Sequence, residues 1–379
     1  MDKNACSVNA GSALRDLCDP TLLLVMKYRF QFRRYRLPFR TAVRTGHGLW
    51  AEREGVIVRL VDEEGRVGLG EAAVIPWFGT ETVDAAEAAG RELGEWLDAG
   101  RLESVPAELR CLRNAIAAAR ENLPEIGAGT GREEAVVKSK TVYLGVAALL
   151  PAGRGVLAAI EPKAEAGFRV FKWKVGVGDV ADELSLLDDV CAALPNGAKL
   201  RLDANGAWNR RQAERWMERC AERPMVEFVE QPCFAEASQG AALQRKAGDV
   251  LLGLAGDFPT PIALDESLVS DGDVERWIGA GWPGVFVVKP SLFGDVAEVM
   301  EKLKKAKAAV VFSSALETAV GAKAALRWAF AWEGEPRALG FGVWPLFEEA
   351  RFDGPHVAPF LRSEDVERID PEAVWNALS

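Results

Sequence analysis

The sequence predicts an α/β protein: a (β/α) barrel preceded by a smaller α+β domain. Three observations predict it. From about residue 138 onward, short apolar runs alternate with helical stretches of roughly 10–15 residues, the rhythm of repeated βα units. Most of those runs close on a charged side chain, and a barrel of this type gathers such strand ends at one mouth. The length of 379 residues suits a barrel plus a second unit better than one ordinary small domain.

The first elements read as strands and then helices. A strand-like run covers 28–34, and Gly55-Val56-Ile57-Val58-Arg59-Leu60 alternates with a period of two. Asp62-Glu63-Glu64-Gly65 supplies a hairpin turn. Helices are expected over 83–98 and 107–120, the second with Leu109, Leu112, Ile116 and Ala119 on one face. The Gly/Pro-rich stretch 124–131 reads as a linker. Met26-Lys27 opens the first strand-like run, so Met26 is the expected natural start and the preceding residues a disordered extension.

In the barrel region, helices are expected over 181–194, 210–222 and 295–305. Each carries one apolar face, such as Ala213, Trp216, Met217 and Cys220, suited to covering a parallel sheet. Counting 140–149 as the first strand, the second ends in Lys172-Trp173-Lys174. The third, fourth and fifth end in Asp203, Glu230 and Asp265, the sixth in Lys289, and the next in Ser313-Ser314. One charged strand end is ordinary capping or loop solvation; five in succession are not.

Three carboxylates on adjacent strands are hard oxygen ligands and suit Mg²⁺, with water and substrate completing its shell. Strands two and six face each other across an eight-stranded barrel, so the lysines flank whatever the metal holds. Lys172 and Lys174 share one face of their strand while Trp173 takes the other. Two ammonium groups in a partly buried site are expected to lower the proton affinity of at least one and fit it for general-base work. The chemistry that follows is proton abstraction beside a substrate carboxylate, with the metal stabilising the enediolate.

Composition narrows the partners. A net charge of −10 excludes a broad nucleic-acid or anionic-membrane surface, while leaving room for a small carboxylate substrate at a local cation cluster. The six cysteines show no CxxC pair or zinc-ligand spacing and read as reduced thiols of a cytoplasmic protein. Apolar stretches are too short to span a bilayer, and no signal peptide is evident. Only two histidines exist, His47 and His356, so acid–base work falls on lysines and carboxylates. Twelve tryptophans against three tyrosines carry no functional reading.

The runs Phe171-Lys172-Trp173-Lys174, 201–208 (Arg-Leu-Asp-Ala-Asn-Gly-Ala-Trp), Glu230-Gln231-Pro232 and Leu264-Asp265-Glu266-Ser267 resemble the enolase superfamily. More narrowly, with 149–153, Lys289-Pro290-Ser291, 313–318, 44–50 and 75–79, they resemble its o-succinylbenzoate synthase family. The resemblance runs from about residue 27 to the C-terminus and loosens after Trp344. It implies an α/β (β/α)7β TIM-like barrel with an α+β capping domain. Expected divisions are an extension over 1–26, a cap over 27–130, a barrel over 138–343 and a segment over 344–379 that returns to the cap.

The resemblance also implies roles. Lys174 matches the general base, Lys172 its partner and Lys289 the cation that stabilises the enediolate, while Asp203, Glu230 and Asp265 match ligands of Mg²⁺, for which Mn²⁺ can substitute. The implied reaction is syn-dehydration of 2-succinyl-6-hydroxy-2,4-cyclohexadiene-1-carboxylate to 2-succinylbenzoate in menaquinone or phylloquinone biosynthesis. Asn205, Ser313 and Ser314 are candidate substrate contacts, although adjacent strand residues point to opposite faces and solvent-side turn chemistry suits Asn205 equally. Glu266 reads as a supporting or helix-start residue, and His47 as a loop residue. Arg40, Arg44 and the loop 76–79 are candidates to close over the pocket.

An N-acylamino-acid racemase would use the same lysines. A dipeptide epimerase would too, but 338–344 lacks the paired aspartates expected to hold a dipeptide amino group. A non-catalytic metal-binding barrel would have lost a lysine or a ligand, and none is missing.

Overall fold

The computed structural model describes residues 27–45, 48–123, 142–236 and 239–378. The expected extension over 1–26, the linker over 124–131 and His47 lie outside the described residues.

The first domain is a four-stranded sheet of order β3-β2-β1-β4, built from β1 (Lys27–Thr45), β2 (Gly48–Val61), β3 (Val67–Ala72) and β4 (Trp96–Asp98). The alternation read in β2 divides its side chains between two cores. Val56, Val58 and Leu60 pack under helices, while Ile57 joins the larger cluster that includes the barrel. The turn between β2 and β3 is closed by Asp62, whose Oδ1 accepts from Glu64 N at 3.0 Å and Arg66 N at 2.8 Å.

Helix α1 (Val83–Leu93) lies between β3 and β4, and the short α2 (Ala99–Glu103) and then α3 (Arg110–Glu121) follow β4. The helix expected over 83–98 stops five residues early. Gly94 turns to φ 80, and Trp96–Asp98 then pairs with the start of β1 as an edge strand. Helix α3 lies directly on β3, where a Cβ on Gly70 would stand 1.9 Å from the Ala115 carbonyl oxygen.

The second domain begins at β5 (Tyr143–Gly145) and then repeats strand and helix. In order come β6 (Ala148–Leu150), α4 (Gly155–Glu165), β7 (Val170–Lys174), α5 (Val180–Ala193), β8 (Lys199–Asp203) and α6 (Arg210–Ala221). Next are β9 (Val226–Glu230), α7 (Ala241–Asp257), β10 (Ile262–Leu264), α8 (Asp271–Gly279) and β11 (Val285–Val288). The series ends with α9 (Val296–Lys305), β12 (Ala309–Phe312) and α10 (Ala319–Ala331). Strands β6 to β12 form one seven-stranded parallel sheet in sequence order. It closes through parallel bridges from Leu339 to Val146 and from Gly340 to Ser313, so this is a barrel with its eighth position reduced to a bridge.

The strand expected over 140–149 is two pieces: β6 belongs to the barrel, while β5 pairs antiparallel with β13 (Phe360–Arg362). Five of the seven barrel helices α4 to α10 start where a side chain caps them. Asp179, Asn209, Ser270, Asp295 and Thr318 each accept a backbone N–H in the first turn of the following helix. The tryptophan excess is largely packing material here. Trp208 stacks on Trp216 at 4.8 Å, with Trp173 against the same ring at 6.4 Å. After α11 (Ser363–Glu367), helix α12 (Pro371–Ala377) brings Trp375 beneath Arg33 of β1, 4.2 Å from the guanidinium to the ring centre.

Candidate active site

Strand register assembles the charged row. Lys174 pairs with Asp203, and Asp203 with Glu230. Ala263 also pairs with Glu230, so Asp265, two residues further, lies on the same side of the sheet. Lys289 follows β11 directly, and Ser313 and Ser314 follow β12. A cavity of about 630 Å³ opens over these strand ends, lined by both β7 lysines, Asp203, Asp265 and Lys289. Trp50, Trp77 and Phe78 of the capping domain roof it.

The ammonium groups stand among the carboxylates. Lys172 Nζ donates to Glu230 Oε1 at 2.8 Å and pairs with Asp203 Oδ2 at 2.9 Å. Lys289 Nζ pairs with Asp265 Oδ1. Burial works against the Lys172 charge, but Asp203 and Glu230 outweigh it and hold the ammonium above its usual value. Lys289 follows the same balance, burial against Asp265 and Glu266, and is also raised. The expected lowering of proton affinity is therefore not what Lys172 shows, because its nearest charged neighbours are anions rather than the second lysine.

The acids feel the opposite pressures. Burial and the neighbouring Asp203 push the Glu230 carboxyl up, while Lys172 overcomes burial to hold Asp203 low. Burial and Asp265 push Glu266 up to about 7. Among the described residues, no three acidic, histidine or cysteine side chains converge closely enough to hold an ion in this conformation. The donor set nevertheless fits a divalent cation on its chemistry. Asp203, Glu230 and Asp265 are buried hard-oxygen groups on neighbouring strand ends.

The weaker expectations divide. Asn205 lines the cavity and also makes the turn after β8. Its backbone stands at φ 44, its N–H donates to Asp203 Oδ1 at 3.1 Å, and its Nδ2 donates to Glu266 Oε1 at 3.0 Å. Ser313 and Ser314 both border the cavity, yet their hydroxyls donate within the protein, to Gly340 O at 3.2 Å and Glu317 Oε2 at 3.0 Å. Arg40 turns instead to the Glu348 carbonyl, and the side chain of Arg44 lies outside the described ones.

The loop 76–79 lies over the pocket, as expected, and its Phe78 covers Lys289, with Nζ 4.8 Å from the ring centre. One further contributor was not expected. Gln231, buried behind the row, accepts from Asp265 N at 3.0 Å and Ser267 N at 3.1 Å while donating to Cys233 O at 2.8 Å. Its place in the Glu230-Gln231-Pro232 run was the available signal for that strand-to-strand tie.

A parallel barrel with this lysine–carboxylate row, roofed by an α+β cap, defines an enolase-type barrel protein. Residues 156–359 match the family described as Enolase C-terminal domain-like, and residues 27–111 match MenC, N-terminal domain. An o-succinylbenzoate synthase of Thermosynechococcus vestitus is 38% identical over 83% of this chain and 92% of its own. One from Yersinia enterocolitica is 30% identical over 76% of this chain and 82% of its own. The chain belongs to the o-succinylbenzoate synthase family of the enolase superfamily.

Among solved structures, the o-succinylbenzoate synthase of Thermosynechococcus elongatus, with Mg in its active site, matches at TM-score 0.77 and 33% identity, covering 92% of this chain and 99% of that one. The L-Ala-D/L-Glu epimerase of Bacillus subtilis shares the fold at TM-score 0.69 and 19% identity, over 88% of this chain and 94% of that one. Among the described residues, no helix is long and apolar enough to cross a membrane.

Proposed function

We propose that this chain is a Mg²⁺-dependent dehydratase acting on 2-succinyl-6-hydroxy-2,4-cyclohexadiene-1-carboxylate, a cytoplasmic step toward menaquinone or phylloquinone. The observation that carries the reading is the row Lys174–Asp203–Glu230 across adjacent strand ends, with Lys289, just after a strand further round, lining the same cavity as Lys174 and Asp203. Asp203, Glu230 and Asp265 would hold Mg²⁺, or Mn²⁺ in its stead, which supplies Lewis-acid stabilisation of the charge developing on the substrate carboxylate.

Lys174 acts as the base. Its Nζ takes the proton from the ring carbon bearing the carboxylate. The electron pair left behind forms the new ring double bond as hydroxide departs from the adjacent carbon on the same face. Lys174 returns the proton to that oxygen, so water leaves and the ring becomes aromatic. Lys172, charged between Asp203 and Glu230, keeps those carboxylates in position beside the base. Lys289, held as a cation by Asp265 against the cost of burial, offers positive charge from the opposite wall. Trp50, Trp77 and Phe78 exclude water above the reacting ring.

Loss of diene absorbance on mixing enzyme and substrate tests the reading. Rapid loss with Mg²⁺ that stops with EDTA, and is missing in Lys174→Ala, is the expected result. An intact, Mg²⁺-binding protein that leaves the diene unchanged overturns it in favour of racemising N-acylamino acids.

A further inference from the structure

The wall of the cavity beyond β12 is a turn over 313–318, whose residues Ser313, Ser314, Ala315 and Leu316 face the pocket. Leu316 stands at φ 59, in the left-handed region that a leucine occupies only where its surroundings over-determine it. Part of that constraint is local. Ser314 Oγ accepts from Leu316 N at 2.9 Å, and Glu317 Oε2 accepts from Ala315 N at 2.5 Å.

The rest reaches in from the capping sheet. Arg53 of β2, 1% exposed, donates from Nε to the Leu316 carbonyl at 3.1 Å. The same guanidinium is anchored on Glu54 O at 2.8 Å and Val74 O at 2.5 Å. Glu71 of β3 accepts from Thr318 N at 3.0 Å, from the Thr318 hydroxyl and from Gly321 N at 2.9 Å. Tyr35 orients that carboxylate with a 2.6 Å hydrogen bond. Glu71 therefore satisfies orphan N–H groups at the start of α10 from another domain. The approach is close enough to require glycine at 321, where a Cβ would lie 3.0 Å from Glu71 Oε2 and 2.8 Å from Glu317 Cβ.

We propose that Arg53 and Glu71 are positioning residues for the reaction. Standing behind the cavity wall, they hold the strained Leu316 turn in the shape that receives the carboxylate substrate. This rests on the dehydratase reading. It assigns the capping sheet a second task, distinct from roofing the pocket: it fixes a wall of the barrel from behind. A pair that only stabilised the fold would change the fraction folded and leave the KM of the folded enzyme alone. A pair that shapes the wall changes KM.

The test uses the full chain with Mg²⁺, comparing wild type with Glu71→Gln and Arg53→Lys. Glu71→Gln gives up the charge and half the acceptors. Arg53→Lys keeps a buried cation but loses the planar fork that spans three carbonyls. Melting temperature reports folding, calorimetry the Mg²⁺ affinity, and diene loss gives kcat and KM. The expected result is a KM raised about tenfold in each variant, with kcat within about threefold and Mg²⁺ affinity unchanged. Should one variant not fold, the other decides. Wild-type KM in a folded variant overturns the proposal while the dehydratase reading stands; a wild type that does not consume the diene removes both.

Discussion

Lys172 Nζ lies 2.8 Å from Glu230 Oε1, and Glu230 is 2% exposed, so the ammonium is the counter-ion of a carboxylate with almost no access to water. Removing one partner of such a pair strands the other, at a cost of about 3 kcal/mol. Lys172→Met is therefore expected to melt well below wild type in EDTA. A cation that binds the folded state at about 100 times its Kd returns about 2.7 kcal/mol. Because Asp203 and Glu230 are left uncompensated in the variant, its gain from Mg²⁺ exceeds that of wild type and the gap narrows. Equal gains in the two proteins would show that Lys172 does not act as their counter-ion.

The base and the ligands should separate cleanly. Lys174→Ala is expected to lower kcat about 10³-fold while Mg²⁺ affinity by calorimetry stays near wild type. Asp203→Ala and Asp265→Ala lose a hard oxygen donor, so their deficit appears first as weakened Mg²⁺ binding. Activity spared equally in all three variants would sink the assignment.

The row on which these variants act was legible because a strand repeats every two residues and a barrel gathers its strand ends. Lys172 and Lys174 share a face by parity, and Asp203, Glu230 and Asp265 come together because each closes its strand at the barrel mouth. What stayed hidden depends on contacts with no local signature. Arg53 and Leu316 are 263 residues apart, and nothing around Leu316 marks it as a left-handed residue. The place of Phe78 over the pocket was legible from its loop, but its contact with Lys289 was not, since an aromatic in a loop has many uses. The raised proton affinity of Lys172 is likewise absent from its own segment, where the nearest ionisable neighbour is Lys174 and the acids that hold the charge come from other strands. The early end of α1 is different: Gly94 was readable as a stop, but the apolar period of the following residues masked it.

Glu317 gives the protein a pH dependence independent of the metal row. Burial and then Glu71 push its carboxyl up to about 7, against an ordinary value of 4.5. The folded state thus binds the proton more tightly than the unfolded chain. The sign follows: this group favours folding below about pH 4.5, and its contribution falls as pH rises toward 7 and stays lost above it. The span corresponds to a cost of order 3 kcal/mol for the ionised group. Glu317→Gln removes the titration, so the melting temperature of the variant relative to wild type should rise between pH 5 and pH 8. A constant difference across that range would show that Glu317 does not titrate there.

Phe78 bears on the buried Lys289 through its ring face, 4.8 Å from the ammonium. A cation over a desolvated ring gains from about 0.5 to about 2 kcal/mol, and here the contact also fixes the ammonium against the cavity wall opposite the β7 lysines. Phe78→Leu keeps an apolar roof but loses the ring's negative face, so it is expected to lower kcat/KM about tenfold. Phe78→Tyr retains the face and should stay within about threefold of wild type, provided its hydroxyl reaches the open side of the cavity. The comparison isolates the ring electrostatics from simple closure: a roof that only excluded water would tolerate leucine as well as tyrosine. Matching losses in both variants would mean that the shape of Phe78 matters and its π-face does not.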